Sequence, residues 1–402
     1  MSNVMHPDLS SKTCAIIPAR GGSKGIVGKN LRMIAGKPLL AHSVIAARES
    51  RSVGRVFVST DDAAIAEVAR KFGAEVIMRP AALASDTASS ESALLHGLEA
   101  LAADGGNQPE LLVFLQCTSP LMIAADIDGT VNALLDQGAD SALSVARFHY
   151  HLWRTDSQEG AVGVNHDKRV RLRRQEREPE FVETGAVYAM RVAGVLAARH
   201  RFFGKTVSYE MPAERAQEVD EPVDLEIVEV LLRRQQLQKK RALLPARIDC
   251  IVFDFDGVLT DNLVQVDQTG RESVTCSRGD GLGLAELRAR GVPLLVLSKE
   301  QNPVVAARCQ KLQIPCLQGI DAKLPALREY CGKHGFALER TVYVGNDVND
   351  LECLAAVGCG VAVADAHPEA KRHSGLILSA PGGRGAVREL CDLVIEQLAA
   401  AP

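Results

Sequence analysis

No two of the ten cysteines (Cys14, Cys117, Cys250, Cys276, Cys309, Cys316, Cys331, Cys353, Cys359 and Cys391) form a C-x-x-C pair, so the usual zinc and redox spacings are missing. No apolar run approaches the roughly 18 residues that a membrane span requires. The first ten residues, MSNVMHPDLS, have neither the basic start nor the apolar stretch of a signal peptide. These absences predict a reducing cytosol, with Cys14, Cys250 and Cys359 acting as small core residues beside apolar runs. There is no large excess of one charge either. A net charge of -4 over 402 residues argues against a general nucleic-acid binder, so any anion site has to be built from local charge. Internal repeats and low-complexity tracts are also missing.

What remains is an ordinary globular composition, 47% hydrophobic and 24% charged, on a chain longer than one core usually organises. Short apolar runs alternate with helical patterns throughout, the signature of parallel sheets covered by helices. In the first half the pattern predicts strands near Cys14–Ile17, Arg55–Ser59, Glu75–Ile77, Leu111–Leu115, Ser141–Val145 and Ala186–Met190. Helices are expected near Pro38–Glu49, Asp62–Phe72, Ser90–Ala103 and Ile127–Gln137, and an amphipathic segment, Asp224–Arg241, closes this half. A basic run and Pro245 then precede a new strand, Ile248–Phe253. The predicted division is a tail over 1–11, a first domain over 12–240, a linker over 241–247 and a second domain over 248–402. In the second domain strands are expected near Val292–Leu297, Thr341–Val344 and Gly360–Val363, with helices near Leu282–Arg290, Val304–Leu312, Lys323–His334 and Ala386–Ala399. The polar stretch of about forty residues between Val145 and Ala186 is too long for a plain loop and is expected to form hairpins.

The first strand runs into Pro18-Ala19-Arg20-Gly21-Gly22-Ser23-Lys24-Gly25-Ile26-Val27-Gly28-Lys29-Asn30. Glycines let backbone N–H groups approach phosphate oxygens, and Arg20, Lys24 and Lys29 offset the charge of a triphosphate. The pattern is neither G-x-G-x-x-G nor G-x-x-x-x-G-K-[ST], which disfavours a dinucleotide site or an ordinary P-loop. A basic surface loop is the alternative. Further along come Val58-Ser59-Thr60-Asp61-Asp62, Met78-Arg79-Pro80 with Ala84-Ser85-Asp86-Thr87-Ala88-Ser89-Ser90, and Gln116-Cys117-Thr118-Ser119-Pro120-Leu121. Read alone, Asp86, Thr87 and Ser89 are helix caps and Thr118-Ser119-Pro120 is a turn. Glu218 and Asp220 lie two apart, so in an extended segment they share a face and can hold Mg²⁺. Asp224 is a third candidate or a helix cap, and a solvated acidic turn is the alternative.

In this order the segments resemble acylneuraminate cytidylyltransferases, the CMP-sialic acid synthetases. The resemblance implies a Rossmann-like nucleotidyltransferase with a mixed sheet, CTP as substrate and inserted hairpins that dimerise. Arg20, Gly21, Gly22, Ser23, Lys24, Asn30, Arg79, Ser85 and Gln116 are then expected at the nucleotide, with Arg20 and Lys29 aiding catalysis. Glu218 and Asp220 hold Mg²⁺, with Glu218 standing where the family usually has aspartate. The implied reaction is attack by the anomeric hydroxyl of a 2-keto sugar acid on the α-phosphorus of CTP, with loss of pyrophosphate.

The sugar side departs from the family. Lys168 to Arg177 places six basic residues in ten, and Arg169, Arg171 and Arg173 alternate as on one strand face. That row meets a sugar carboxylate or phosphate, or acidic groups of a partner subunit. Arg173, Gln175, Thr184 and Gly185 are the sugar-acid candidates. Val182 and Thr184 stand where family members carry arginine and asparagine, so acids other than N-acetylneuraminate come into question: deaminated or legionaminate-type sugars, KDO, or a phosphonate.

The second domain opens with Asp254-Phe255-Asp256-Gly257-Val258-Leu259-Thr260-Asp261 after an apolar strand. Ser298 ends another strand, Lys323 follows, and Gly345-Asn346-Asp347-Val348-Asn349-Asp350 follows a third. This set resembles the haloacid dehalogenase superfamily. The resemblance implies that Asp254 is the nucleophile, Asp256 the acid/base, and Ser298 and Lys323 the phosphoryl holders, with Asp254, Asp256, Asn346, Asp347 and Asp350 at Mg²⁺. Asn346 replaces the commoner aspartate. The short distance from Asp261 to Arg278-Gly279-Asp280-Gly281 excludes a large cap domain, and the tail Pro381–Glu389 resembles that of capless KDO-8-phosphate phosphatases, which are tetramers. Arg384 is then a cross-subunit candidate, or part of a plain loop. The whole is expected to be a bifunctional cytoplasmic enzyme with Mg²⁺ in both domains, acting on small molecules with no nucleic-acid or membrane partner. An alternative makes the second domain an oligomerisation module only.

Overall fold

A computed structural model describes residues 9–23, 25–103 and 108–400. The chain divides into two compact units, Met1–Arg233 and Arg234–Pro402, with the division inside the helix Pro222–Ala242 and ahead of the expected linker.

The first unit is built on a seven-stranded sheet. In spatial order its strands are Thr206–Glu210, Ser141–Phe148, Glu180–Arg191, Leu111–Leu115, Thr13–Pro18, Arg55–Thr60 and Glu75–Met78. Apolar runs such as Leu111–Leu115 are buried along their whole length, as strands covered on both faces must be. Glu180–Arg191 alone runs antiparallel to both its neighbours, so the sheet is mixed. The helices Leu39–Glu49, Ala63–Lys71, Ser90–Ala103 and Ala124–Asp136 alternate with the strands. Asp62 starts the second of these by accepting the N–H groups of Ala64 and Ile65.

Parts of this unit differ from expectation: the helix Val192–Ala198 and the short strand pair Met33–Ile34 with Lys37–Pro38 are not among the expected elements. The edge strand Thr206–Glu210 is polar and short, giving no apolar run to read. The inserted stretch holds one hairpin, Trp153–Asp156 with Gly160–Gly163. Arg169, Arg171 and Arg173 lie in a turn and irregular backbone and share no strand face, because Asp167 closes a local turn by accepting the Arg169 N–H.

In the second unit six strands, Cys316–Leu317, Leu294–Leu297, Cys250–Phe253, Thr341–Gly345, Cys359–Ala362 and Leu376–Ile377, form an all-parallel sheet in that order. Between the first strand and the helix Arg278–Ala289 stands only the hairpin Thr260–Val266 with Glu272–Cys276, so the fold is capless. That helix begins ahead of the expected Leu282 because Ser277 accepts the Asp280 N–H and caps it. All ten cysteines are free, and Cys14, Cys250 and Cys359 are buried. Among the described residues no helix is long and apolar enough to cross a membrane.

His42, on the helix Leu39–Glu49, sits 3.0 Å from the Ile34 carbonyl oxygen. Burial lowers its pKa from 6.5; the Ile34 contact opposes this, Lys37 adds to it and Glu229 opposes it. A lowered folded pKa gives stability that is complete above the unfolded value, about 6.5, and is lost as pH falls through the folded value. Thermal melts at about pH 7.5 and about pH 5 should therefore show a larger loss of Tm in the wild type than in His42→Gln. Equal losses would show that His42 does not carry this linkage.

Candidate active sites

In the first unit the strand Thr13–Pro18 has Arg55–Thr60 on one side and Leu111–Leu115 on the other. The chain order reverses there, and a crevice opens at the carboxyl ends of the strands. A cavity of about 410 Å³ occupies it, lined among others by Arg20, Lys29, Arg79, Ser85, Gln116 and Asp220. Ser23 and Asn30 line it as well.

The loop is held open by its own polar groups. Gly21 N–H donates to Asp61 Oδ1 at 3.1 Å, and a Cβ on Gly21 would come within 2.7 Å of Asp62 Oδ2, so the tight approach requires glycine. A Cβ on Gly22 would meet nothing. Asn30, nearly buried, donates to the Arg20 carbonyl at 3.0 Å and so supports the loop from beneath. Lys24 lies outside the described residues.

The cations converge. Arg20 Nη1 is 3.0 Å from both the Ser85 carbonyl and Asp86 Oδ1. Lys29 Nζ donates to the Val219 carbonyl at 2.8 Å and to Asp220 Oδ1 at 3.2 Å. Arg79 is fixed by its backbone bond to Thr60, and its buried Nε finds no partner among the described residues. Burial lowers its pKa, which Asp61 opposes. Ser89 both lines the cavity and accepts the Ser92 N–H, so it caps the helix it precedes.

Glu218 and Asp220 flank Val219, whose N–H bonds the Thr118 carbonyl. Glu218 Oε1 accepts from the Ser119 hydroxyl at 3.3 Å, and burial followed by the charge of Asp220 raises its pKa. Two carboxylates that strain against each other in this way suit a hard cation, and Lys29 already supplies one positive charge to Asp220. Gly185, at φ +65, lies against Glu218; any side chain there would overlap the carboxylate. Asp224 points elsewhere: its Oδ2 accepts the Asp220 and Glu221 N–H groups, which lowers its pKa and locks the turn.

The sugar-acid candidates are scattered. Thr184 is buried, with its hydroxyl 2.7 Å from that of Ser144 and bonded to the Ser144 carbonyl. Arg173 and Gln175 are exposed at the short helix Arg174–Glu176 and do not line the cavity. Phe114 and Cys117 do line it, and sequence reasoning passed over both because each looks like core. Phe114 stacks on Tyr188 at 5.2 Å, Arg201 lies over both rings, and Tyr188 O–H donates to Glu183.

In the second unit Asp254, Ser298 and Asn346 stand at the carboxyl ends of three neighbouring parallel strands. The Lys323 side chain is 2% exposed and bridges Asp254 Oδ1 at 2.8 Å and Asp350 Oδ1 at 2.7 Å. Asp254 Oδ1 also accepts the Phe255 N–H at 2.7 Å. Burial, and then Asp350, push the Asp254 carboxyl up to about 7, while Lys323 opposes them. Asp256 lies 3.5 Å from the Thr260 hydroxyl; burial, and then Glu300, raise its pKa. Ser298 Oγ accepts the Glu300 N–H.

Among the described residues no three His, Cys, Asp or Glu side chains are placed to share an ion. The converging set is mixed instead. The Asn346 amide lies 3.0 Å from the Asp256 carbonyl oxygen and 3.2 Å from Asp254 Oδ2. With its oxygen turned inward it completes three hard oxygens, a set that fits Mg²⁺. Asp350 is not part of this set: Lys323 and Tyr343 occupy Oδ1, and the Asn346 and Asp347 N–H groups occupy Oδ2. Asp350 positions the lysine and the turn, because a fully buried carboxylate takes the donors nearest to it. Asp347 Oδ1 accepts the Val348 N–H. Arg384 is exposed and 3.4 Å from Asp261 Oδ2.

Residues 14–250 match the family described as Cytidylyltransferase. The chain belongs to that family. Residues 318–382 match the haloacid dehalogenase-like hydrolases. N-acylneuraminate cytidylyltransferase A of Danio rerio is 29% identical over 393 residues, covering 95% of this chain and 88% of the relative. The 3-deoxy-D-manno-octulosonate 8-phosphate phosphatase of Escherichia coli (strain K12) is 36% identical over 149 residues, 37% of this chain and 79% of the relative. A solved structure of the phosphatase of the same name from Yersinia pestis is 32% identical, covers 40% of this chain and 86% of its own, and has a TM-score of 0.38. The two family matches and the two relatives make the chain an enzyme with a nucleotidyltransferase domain followed by a phosphatase domain.

Proposed function

We propose that the enzyme makes a CMP-sugar from CTP and a sialic-acid-like nonulosonic acid, releasing pyrophosphate, and that its second domain first frees that acid from its phosphate ester. The observation that carries the reading is the convergence of Arg20, Lys29 and Arg79 on one crevice that also holds Gln116. Three cations around a cavity of that size suit a triphosphate better than a neutral ligand. The relatives named above, an N-acylneuraminate cytidylyltransferase and a sugar-acid phosphatase, each support the substrate class of one of the two reactions.

In the first reaction the sugar's anomeric hydroxyl attacks the α-phosphorus, and Arg20, Lys29 and Arg79 stabilise charge on the phosphate oxygens as pyrophosphate departs. Gly22 and Ser23 offer backbone N–H groups to the same oxygens, whereas the Gly21 N–H is held by Asp61 and shapes the loop; Gln116 and Ser85 orient the nucleotide. Glu218 and Asp220 would hold Mg²⁺, which supplies charge neutralisation when bound. Of the sugar-acid candidates only Gly185, which lies against Glu218, is beside the groups assigned to the cation; Arg173, Gln175 and Thr184 do not line the cavity.

In the second reaction Asp254 attacks phosphorus to give an aspartyl phosphate. Asp256 protonates the leaving alcohol and then takes a proton from the attacking water. Lys323, with Ser298, stabilises the phosphoryl oxygens. Asp254, the Asp256 carbonyl and Asn346 would hold Mg²⁺ here. A nonulosonate 9-phosphate or related phosphosugar is the substrate we assign.

We place the domains at 12–240 and 248–402. The apolar side chains exposed on the inserted stretch, Tyr150, Trp153, Val170 and Leu172, support dimerisation there. Leu263, Val264 and Val266 on the second unit's hairpin support tetramerisation. Pyrophosphate release from CTP across a panel of sugar acids tests the function: release with a nonulosonic acid is expected, and release only with KDO or a phosphonate would redirect it.

A further inference from the structure

The geometry points to Asn346 as a metal-dependent clamp on the phosphatase nucleophile, an inference that rests on the reading of the second unit as a cation-assisted phosphatase. We propose that its side-chain amide turns its NH₂ onto Asp254 when no cation is bound and turns its oxygen inward when one binds.

Four observations converge on this. The amide lies between two acceptors, 3.0 Å from the Asp256 carbonyl oxygen and 3.2 Å from Asp254 Oδ2, so with its NH₂ inward it donates to both. Three oxygens facing one another without a cation would repel, which makes the amide orientation conditional on the ion. The backbone cannot make the adjustment: the Asn346 N–H is held by Asp350 Oδ2 at 2.9 Å, and its carbonyl accepts the His367 N–H at 2.7 Å. Rotation about the terminal torsion is the motion left to a residue 6% exposed. Space for the amide comes from Gly257, where a Cβ would overlap the Asn346 side chain.

The consequence concerns Asp254. Its Oδ1 already receives Lys323 and the Phe255 N–H. With Asn346 donating to Oδ2, both carboxylate oxygens are occupied in the cation-free site. A cation held by Oδ2 would need the place the amide NH₂ takes, so the amide bond and the ion compete for the same oxygen. An aspartate at 346 has no donor to offer and adds a charge, so it would bind a cation more tightly and leave the cation-free site repelling itself.

The test compares the full-length wild type with Asn346→Asp and Asn346→Ala after EDTA treatment, reading the Tm in EDTA and the Mg²⁺ affinity by calorimetry. The clamp predicts that both variants melt about 3 °C or more below the wild type in EDTA, since each loses the two amide bonds. Asn346→Asp should bind Mg²⁺ about tenfold more tightly than the wild type, and Asn346→Ala more weakly. An unchanged Tm in EDTA for either variant, or an Asn346→Asp affinity equal to or below the wild type's, overturns the inference. If Asn346→Asp does not fold, the alanine variant decides on the EDTA melt alone. Wild type that releases no phosphate from any sugar-acid phosphate would overturn the phosphatase reading instead, and the melting and affinity comparison would still stand or fall by itself.

Discussion

Asp254→Asn should lower phosphate release from a sugar-acid phosphate by about 10³-fold or more, while CTP-dependent pyrophosphate release on the free acid stays near the wild-type rate. The amide can still accept from Lys323 and Phe255 N–H, so the buried site keeps its packing, but it cannot attack phosphorus. Lys323 would then rely on Asp350, 2.7 Å away, for its charge partner. Parallel phosphate and pyrophosphate assays on one preparation check this. The result also separates the two roles considered for the second domain. Loss of phosphate release with intact assembly means chemistry, whereas a wild type and a variant that are equally silent, with assembly intact, mean a scaffold.

Lys29→Met should lower kcat/KM for CTP by about 10²-fold and leave phosphatase turnover unchanged, as steady-state kinetics on both substrates would show. Methionine is unbranched and only one atom shorter than this side chain, which is 14% exposed, so the apolar stem keeps its packing and the change is mainly one of charge. Two effects add in the same direction. The triphosphate loses a cation at the crevice, and Asp220 loses the ammonium 3.2 Å from its Oδ1, leaving it and Glu218 with uncompensated repulsion. A variant with normal kcat/KM would mean that Lys29 is only a brace for the Val219 and Asp220 backbone.

The parallel cores were legible because burial on both faces writes itself as continuous apolar runs: Leu111–Leu115, Cys250–Phe253 and Leu294–Leu297 needed no further signal. Glycine spacing with flanking cations marked the nucleotide loop, and paired aspartates after a strand marked the second site. What escaped was decided by partners distant in sequence. Thr206–Glu210 is a strand because Ser141–Phe148 pairs with it, and nothing in its own polar residues says so. Phe114 and Cys117 look like core until the crevice opens beside them. Asp350 resembles a metal ligand by spacing, yet Lys323, Tyr343 and two backbone N–H groups fill its oxygens in three dimensions. The alternation of Arg169, Arg171 and Arg173 suggested a strand, but the segment pairs with no strand among the described residues and takes the local turn that Asp167 offers.

The central claim is that one chain carries both reactions in sequence. Phosphorus NMR of the purified protein incubated with CTP, Mg²⁺ and a nonulosonate 9-phosphate tests it most directly. The account predicts orthophosphate first, then pyrophosphate together with a CMP-sugar diester signal. Pyrophosphate appearing with the phosphate ester still intact, or neither product appearing until free acid is supplied, would contradict it.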